Sequence, residues 1–307
     1  MKKDFYFPSQ DGVTQIHGIE WKPDGEVKGI LQICHGMVEH IERYHDFAMF
    51  LCEHGYYVVG HDHLGHGKSI VSKDKLGYFQ KDKGNACVIG DIHTLRQKTE
   101  KDYPGVPYFM LGHSMGSFLV RQYIGMHGAG LSGAVVMGTG EQPSVILGAG
   151  KFVCKMIAAC KGWEHRSTLV DGMALGANQK AYAHVTDGSS WLTRNPEIVK
   201  QYKEDPQCGF RFTLNAYYFM FSGMEQMNKQ EKAQTLPKTL PVFFVAGAKD
   251  PVGSMGKGVQ NVYEIYKRMG MKDVEIKLYE EDRHEILNEL DKDVVYQDIL
   301  NWLESRK

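Results

Sequence analysis

Leu111-Gly112-His113-Ser114-Met115-Gly116 follows the apolar run Pro107–Leu111 (PYFML) and precedes a helical pattern from about Met115 to Met126. A buried strand therefore enters G-x-S-x-G and a helix leaves it. That is the context of a nucleophile elbow. Gly112 and Gly116 let strand and helix approach, because neither carries a side chain. Ser114 is forced to the tip in a strained conformation, with its hydroxyl exposed. Free N–H groups of the new helix point at the same spot and favour developing negative charge.

Outward from the elbow, short apolar runs alternate with helical patterns. Tyr6–Pro8 and Thr14–Trp21 predict an antiparallel start, turned at Asp11-Gly12. Gly29–Cys34 (GILQIC) and Tyr56–Gly60 (YYVVG) read as strands buried on both faces. Helices are expected over Arg43–His54, stopped by Gly55, and over Val88–Tyr103, followed by a strand at Leu131–Met137. From about Glu141 to Pro237 the alternation stops, and helical and loop patterns carry aromatics and methionines. It resumes with a strand at Pro241–Ala246, a helix at Gly256–Met269, a strand at Val274–Tyr279 and a helix at Glu285–Glu304. Such alternation predicts an α/β fold with a mostly parallel sheet covered on both faces. Residues 1–140 and 237–307 are expected to form the core, and 141–236 a helical insertion that returns to it.

Composition narrows the function classes. The 307 residues are 42% hydrophobic and 24% charged, which excludes disorder and fibrous repeats. Lys+Arg 36 against Asp+Glu 37 gives a net charge of -1. No basic excess exists to neutralise a phosphate backbone, so no nucleic-acid partner is expected. The start MKKDFYFPSQDG lacks the apolar stretch of an export signal. Runs such as Pro241–Ala248 are too short to span a bilayer. Cys34, Cys52, Cys87, Cys154, Cys160 and Cys208 show no CxxC or zinc-like spacing and read as reduced thiols of a cytoplasmic protein. The alternative, three disulfides in a secreted chain, needs the missing signal.

A serine hydroxyl needs a base, and the base needs an orienting acid. After this kind of elbow the chain order is Ser, then Asp or Glu, then His. Asp250 closes the run PVFFVAG, and His284 follows VEIKLY. Both fall just past carboxyl ends of predicted strands, where open α/β sheets place their sites. Ser114 is thus the expected nucleophile, His284 the general base and acid, and Asp250 the orienting carboxylate. Asp250 also reads as a turn residue before Pro251. Asp282 is the rival acid, but it sits too near His284 in sequence to approach the ring from a separate strand. The expected oxyanion donors are the Met115 N–H and, from the loop Cys34-His35-Gly36-Met37, the Met37 N–H. His35 itself reads as a structural histidine bonding the loop. His61-Asp62-His63-Leu64-Gly65-His66 is similar to the H-x-H-x-D-H zinc signature of metallo-hydrolases, yet Gly65 stands where that signature has Asp. A turn bent at Gly65 and Gly67 explains the run better, so no metal is expected there.

Taken together, these stretches resemble the α/β-hydrolase superfamily, and within it the monoacylglycerol lipase and lysophospholipase group, also described as serine aminopeptidase-like. The resemblance rests on HGMVEHIERY (His35–Tyr44), GHDHLGHGKS (Gly60–Ser69), GHSMGS (Gly112–Ser117), DPQCGFRFT (Asp205–Thr213), GAKDPVG (Gly247–Gly253) and DRHEILNE (Asp282–Glu289). It covers most of the chain and is loosest over about 141–203. One departure is Ser117, where the family commonly has glycine. The resemblance implies an α/β-hydrolase fold and hydrolysis of a small-molecule acyl ester through an acyl-enzyme on Ser114. It implies no metal and no organic cofactor. The insertion becomes a cap, and Met156, Trp163, Trp191, Phe212, Tyr218 and Met224, with Met173, Phe210, Tyr217, Phe219 and Phe221, become candidates to line an acyl-chain pocket. The plainer reading makes each of them cap core. A lipid-ester substrate also brings transient membrane or lipid-surface contact through the cap, though no basic amphipathic helix demands it.

Three alternatives share the proposed residues: an aminopeptidase, a thioesterase or an acyltransferase. An aminopeptidase needs an acidic patch for the substrate amine. Glu141, Glu164, Asp171, Asp187 and Glu197 are available in the insertion but form no compelling cluster. A non-catalytic binding protein on the same fold predicts a damaged Ser-Asp-His set, and this one is complete. The sequence carries no signal for an oligomeric state.

Overall fold

A hairpin opens the chain in the computed structural model, which describes residues 1–182 and 189–306. β1 (Lys2–Pro8) pairs antiparallel with β2 (Gln15–Trp21), with Phe7 opposite Ile16. The Asp11 carboxylate holds the turn by accepting the Val13 and Thr14 N–H groups, each at 2.8 Å. β1 begins at Lys2 and not at Tyr6. Its first residues are exposed, and ladder pairing of the backbone needs no apolar side chain.

Next come β3 (Gly29–Cys34), α1 (His45–Glu53), β4 (Tyr56–His61), α2 (Gly84–Asp102), β5 (Tyr108–His113), α3 (Met115–His127) and β6 (Gly133–Met137). Between β6 and the next strand lie α4 (Ser144–Lys161), α5 (Thr168–Ala181), α6 (Pro196–Glu204) and α7 (Leu214–Ala233). No strand occurs in that interval among the described residues. β7 (Val242–Gly247), α8 (Lys257–Arg268), β8 (Val274–Tyr279) and α9 (Lys292–Glu304) complete the order. The expected helix at Glu285–Glu304 starts late, at Lys292. Glu285 is drawn instead into an ion pair with Arg43, and Ile286–Asn288 make only a 3-10 turn.

The eight strands form one sheet in the order β1-β2-β4-β3-β5-β6-β7-β8. β4 through β8 in that order run parallel, and β2 joins β4 antiparallel. Alternate strand residues serve opposite cores, as the period of two requires. Ile30, Met110, Val136 and Phe244 pack with Val88, Ile92, Val120, Ile124 and Val262 from α2, α3 and α8. Leu31, Phe109, Val135 and Val245 face Phe47, Leu51, Val295, Ile299 and Leu303 from α1 and α9.

α7 belongs to the insertion in sequence but rests on the core. Its Glu231 receives Arg121 of α3 through two bonds of 2.9 and 3.0 Å, and Tyr266 of α8 donates to it at 3.0 Å. Arg121 also donates to the Gly140 carbonyl at 2.9 Å. Both ions are buried, so each depends on the other for its lost hydration.

A second buried charge centre ties the hairpin to the sheet. His17 lies 2.8 Å from Asp62 through Nδ1 and 2.6 Å from Asp4 through Nε2, with Lys68 beyond Asp4. Burial alone would depress the ring, but hydrogen bonds to Asp62 and Asp4 outweigh it and the His17 pKa is raised. A histidine whose folded pKa is raised stabilises the fold fully below its unfolded value of about 6.5. That contribution is lost as pH climbs through the folded value. His17→Gln should therefore lower Tm more at about pH 6 than at about pH 9. Equal losses at both would show that His17 acts by shape alone.

Candidate active site

The turn between β5 and α3 is tightly packed backbone. Ser114 adopts φ 53 and ψ −119, a left-handed conformation unusual outside glycine. A Cβ at Gly112 would lie 2.2 Å from the Gly116 carbonyl oxygen. One at Gly116 would lie 2.0 Å from the Cys34 carbonyl oxygen. Both obstacles are backbone and cannot rotate away. The two glycines thus permit β5, β3 and α3 to converge under Ser114. Ser117, the departure from the family pattern, donates to the Ser114 carbonyl at 2.6 Å and ties the turn.

Asp250 follows β7 and His284 follows β8. His284 Nδ1 lies 2.9 Å from Asp250 Oδ2, and both residues are buried. Asp250 Oδ1 accepts the Val252 N–H at 2.8 Å. With Nδ1–H given to Asp250, the neutral ring keeps Nε2 as its acceptor. The ring is braced by Trp191 at 5.0 Å and His113 at 4.7 Å between centroids. A Cβ at Gly138 would come within 3.1 Å of it. Ser114 and His284 line the same cavity. Among the described residues no hydrogen bond yet joins the serine hydroxyl to the ring. Asp282 turns elsewhere: it receives Arg194 at 2.6 Å, and burial, with Asp291 and Glu289 nearby, pushes its pKa up to about 7.

The loop after β3 reaches the same point. A Cβ at Gly36 would sit 3.2 Å from Ser114 Cβ. Gly36 N–H donates to Glu39 Oε1 at 2.6 Å, which sets the peptide that follows. Met37 and Met115 line the cavity beside Ser114, and their N–H groups have no partner among the described residues. His35 bonds within the loop, Nδ1 to the Gly36 carbonyl at 2.7 Å, and its Nε2 accepts the His63 N–H at 2.9 Å.

Sequence reading missed the charge cluster behind this loop. Arg43 donates to Glu39 at 2.7 Å and to both Glu285 oxygens at 2.8 and 2.6 Å. Tyr44 donates to Glu39 at 2.9 Å, and His113 Nδ1 lies 3.3 Å from it. Burial alone would raise Glu39, but Arg43 and His113 hold its carboxyl well below the usual range. The cluster joins the Met37 loop, the elbow and the His284 loop. Only the spacing Glu39–Arg43, one helical turn, hinted at it.

The histidines at and just after the end of β4 are buried and, with His35, packed ring against ring: His35 and His63 lie 4.2 Å apart, and His61 and His63 5.0 Å apart. Burial drives His61 and His66 down to about 3, so these rings are neutral. Their nitrogens do not converge on one point among the described residues.

The cavity holds about 850 Å³ and lies between the elbow and the insertion. Trp191 and Met224 line it, as the sequence suggested. Other candidates do not. Met156 is 56% exposed on the outer side of α4. Trp163 and Tyr218 pack on each other at 5.2 Å, and neither lines the cavity. Phe212 is fully buried in the core, against His66 and Phe79. Met156 is turned outward by its place on α4, while Trp163 and Phe212 lie in the connections before α5 and α7, and sequence in a weakly patterned insertion gives none of these directions. Met173, Phe210 and Phe221, also candidates from the sequence, line the cavity too, and Phe118, Leu147 and Met220 complete its apolar wall.

Of the acidic residues considered for an amine site, Asp171 and Glu141 line the cavity, and each already has a polar partner. Asp171 lines the cavity but is satisfied by Tyr217 at 2.7 Å and Arg211 at 3.5 Å. Glu164 pairs with Lys75 at 2.7 Å. Glu141 reaches Asn261 at 3.1 Å, and Asp187 lies outside the described residues.

Residues 25–291 match the family "Hydrolase_4: Serine aminopeptidase, S33". The chain belongs to this family. Its sheet order and parallel core are those of the α/β-hydrolase fold. This Hydrolase_4 member is 27% identical to the monoacylglycerol lipase of Mycolicibacterium smegmatis, over 99% of its own length and 98% of that protein's. It is 27% identical to the monoglyceride lipase of Homo sapiens, covering 93% and 86%. Among solved structures it superposes on a highly thermostable carboxyl esterase from Bacillus coagulans in complex with glycerol. The TM-score is 0.90 at 28% identity, covering 99% and 98%. No helix among the described residues is long and apolar enough to cross a membrane.

Proposed function

We propose that this Hydrolase_4 member is a serine hydrolase of carboxylic esters, acting on monoacylglycerols, lysophospholipids or similar single-chain acyl esters. The observation that carries the reading is that His284, held 2.9 Å from Asp250, shares one cavity with strained Ser114 and the Met37 and Met115 N–H groups. Ser114 Oγ attacks the ester carbonyl carbon while His284 Nε2 takes its proton. Met37 and Met115 N–H groups bind the developing oxyanion. The imidazolium, stabilised by Asp250, then protonates the leaving alcohol. Water, deprotonated by the same nitrogen, releases the acid and restores Ser114. No step calls for a metal or organic cofactor.

Similarity to lipases of monoacylglycerol and to an esterase holding glycerol favours a glycerol ester. The apolar wall of the cavity suits an acyl chain. In this reading 141–236 is the cap, and its movable part ends before α7, which the Arg121–Glu231 pair fastens to the core. Val145, Phe152 and Met156 on α4, with Leu169 and Met173 on α5, are exposed and offer a face for transient lipid-surface contact. All six cysteines are unpaired and five are buried, which supports a reducing, cytoplasmic setting.

Turnover should be measured on monoacylglycerols and lysophospholipids of graded chain length and on aminoacyl amides, in solution and on vesicles. Glycerol monoesters are expected to be cleaved fastest, with little cleavage of the amides. Preferential cleavage of aminoacyl amides would overturn the reading in favour of an aminopeptidase.

A further inference from the structure

Three side chains outside the ester-cleaving groups place a nitrogen, an oxygen and a sulfur together. His40, Asp205 and Cys208 each offer one ligand atom, and these atoms all lie within 4.8 Å of one another. His40 follows the Met37 loop. Asp205 and Cys208 form the turn after α6. We infer that His40, Asp205 and Cys208 form a binding site for a thiophilic divalent metal ion of the zinc class, which would clamp the helical insertion to the loop carrying Met37.

Backbone contacts assemble the site without help from an ion. Gly209 N–H donates to the Val38 carbonyl at 2.9 Å and staples the two segments together. The Asp205 turn is closed by Cys208 N–H to the Asp205 carbonyl at 3.0 Å and by Gln207 N–H to Asp205 Oδ1 at 2.7 Å. The other oxygen, Oδ2, is thereby aimed at His40 Nε2, 2.7 Å away. Metal sites draw affinity from ligands held in place before the ion arrives.

The donor set is selective. Imidazole, carboxylate and thiolate suit zinc and its neighbours, whereas magnesium and calcium prefer oxygen alone. Three protein ligands leave a fourth, tetrahedral position for water. Around an ion with bonds of about 2.0 Å, the His40–Asp205 contact opens to about 3.3 Å, a small shift for two side chains. His40 and Cys208 are buried, while the Asp205 side chain is 30% exposed and gives an ion its way in.

Charge is the main objection, because Arg43 lies close enough to act on the Cys208 thiol. Its guanidinium is, however, held by Glu39 and Glu285. Burial pushes the Cys208 thiol up, so without metal it stays protonated. Binding follows a balanced step: the Cys208 S–H bond breaks, an S–metal bond forms, and one proton passes to solvent. The contrasting acidic cluster, Asp282, Glu289 and Asp291, is already filled by Arg194 at 2.5 to 3.0 Å and needs no ion.

The test uses the full chain carrying Cys160→Ser, since Cys160 is the exposed thiol that would compete. Cobalt(II) serves as the optical probe. The expected result is one cobalt per chain, a thiolate-to-cobalt charge-transfer band, and one proton released. Adding Cys208→Ser should erase the band. Cys208→Ser and His40→Gln should each weaken binding on the order of 100-fold. Circular dichroism checks that both variants are folded. Zinc should also raise the Tm of the parent in proportion to the logarithm of its concentration. That last measurement stands even where a variant fails to fold. No saturable binding, binding without a thiolate band, a band that survives Cys208→Ser, or an unmoved Tm would each overturn the site.

Discussion

Ser114→Ala should lower kcat/KM on a short p-nitrophenyl ester by at least about 10,000-fold while leaving Tm nearly unchanged. The loss follows from chemistry: alanine has no atom to form the acyl-enzyme. Stability is spared because alanine keeps the Cβ that the left-handed turn already accommodates at φ 53. The strain comes from Gly112, Gly116 and the Cys34 carbonyl, which the substitution does not touch. Residual turnover above water is still expected, since the Met37 and Met115 N–H groups can bind an oxyanion without a nucleophile. Measured rates and a thermal melt on the same sample settle it. Full activity in a folded variant would remove Ser114 from the mechanism.

Asp250→Asn tests the geometry more sharply. The carboxylate has two obligations. One oxygen accepts the Val252 N–H at 2.8 Å and the other faces His284 Nδ1 at 2.9 Å. Asparagine offers one oxygen and one NH₂. Two donors cannot face each other, so the oxygen must stay with Val252 and the NH₂ must face the ring. His284 then takes the proton on Nε2 and accepts at Nδ1. In that tautomer it cannot accept the Ser114 proton. The expected loss in kcat is about 10,000-fold, with the fold retained because shape and hydrogen-bond count are preserved. A variant with near-normal kcat would move the orienting role to another carboxylate. Asp282 is a poor heir, since Arg194 holds it.

These two results probe different links in the chain from sequence to function. The elbow could be read directly because its constraints are local. A strand, two glycines two residues either side of a serine, and a helix leave one way to turn. The buried strands were legible for a similar reason: the mainly apolar β3 and β5 are wholly buried. Asp250 and His284 were legible because the sheet places strand ends at one edge and the chain order names the candidates. Less local features escaped. The Arg43–Glu285 pair spans 242 residues, and no period or motif announces which distant charge will neutralise which. Glu285 looked like the start of a helix until Arg43 claimed it.

The insertion shows the limit most clearly. Its helical character was readable from the lack of strand patterning, but the direction of each apolar side chain was not. A methionine or aromatic residue gains similar free energy whether it faces a cavity, a core or a neighbour. Phe212, Trp163 and Met156 therefore looked equivalent in sequence and went to three different places. By itself, the sequence determined the α/β order and the sharp glycine-flanked turn at Ser114, because short-range sterics and strand order admit few solutions. Only the tertiary structure decided which side chains wall the cavity, that α7 is fastened to the core through Arg121 and Glu231, and that His40 meets Asp205 and Cys208. Those outcomes depend on long-range packing and on charge neutralisation away from water, where many arrangements compete and only their summed energy selects one.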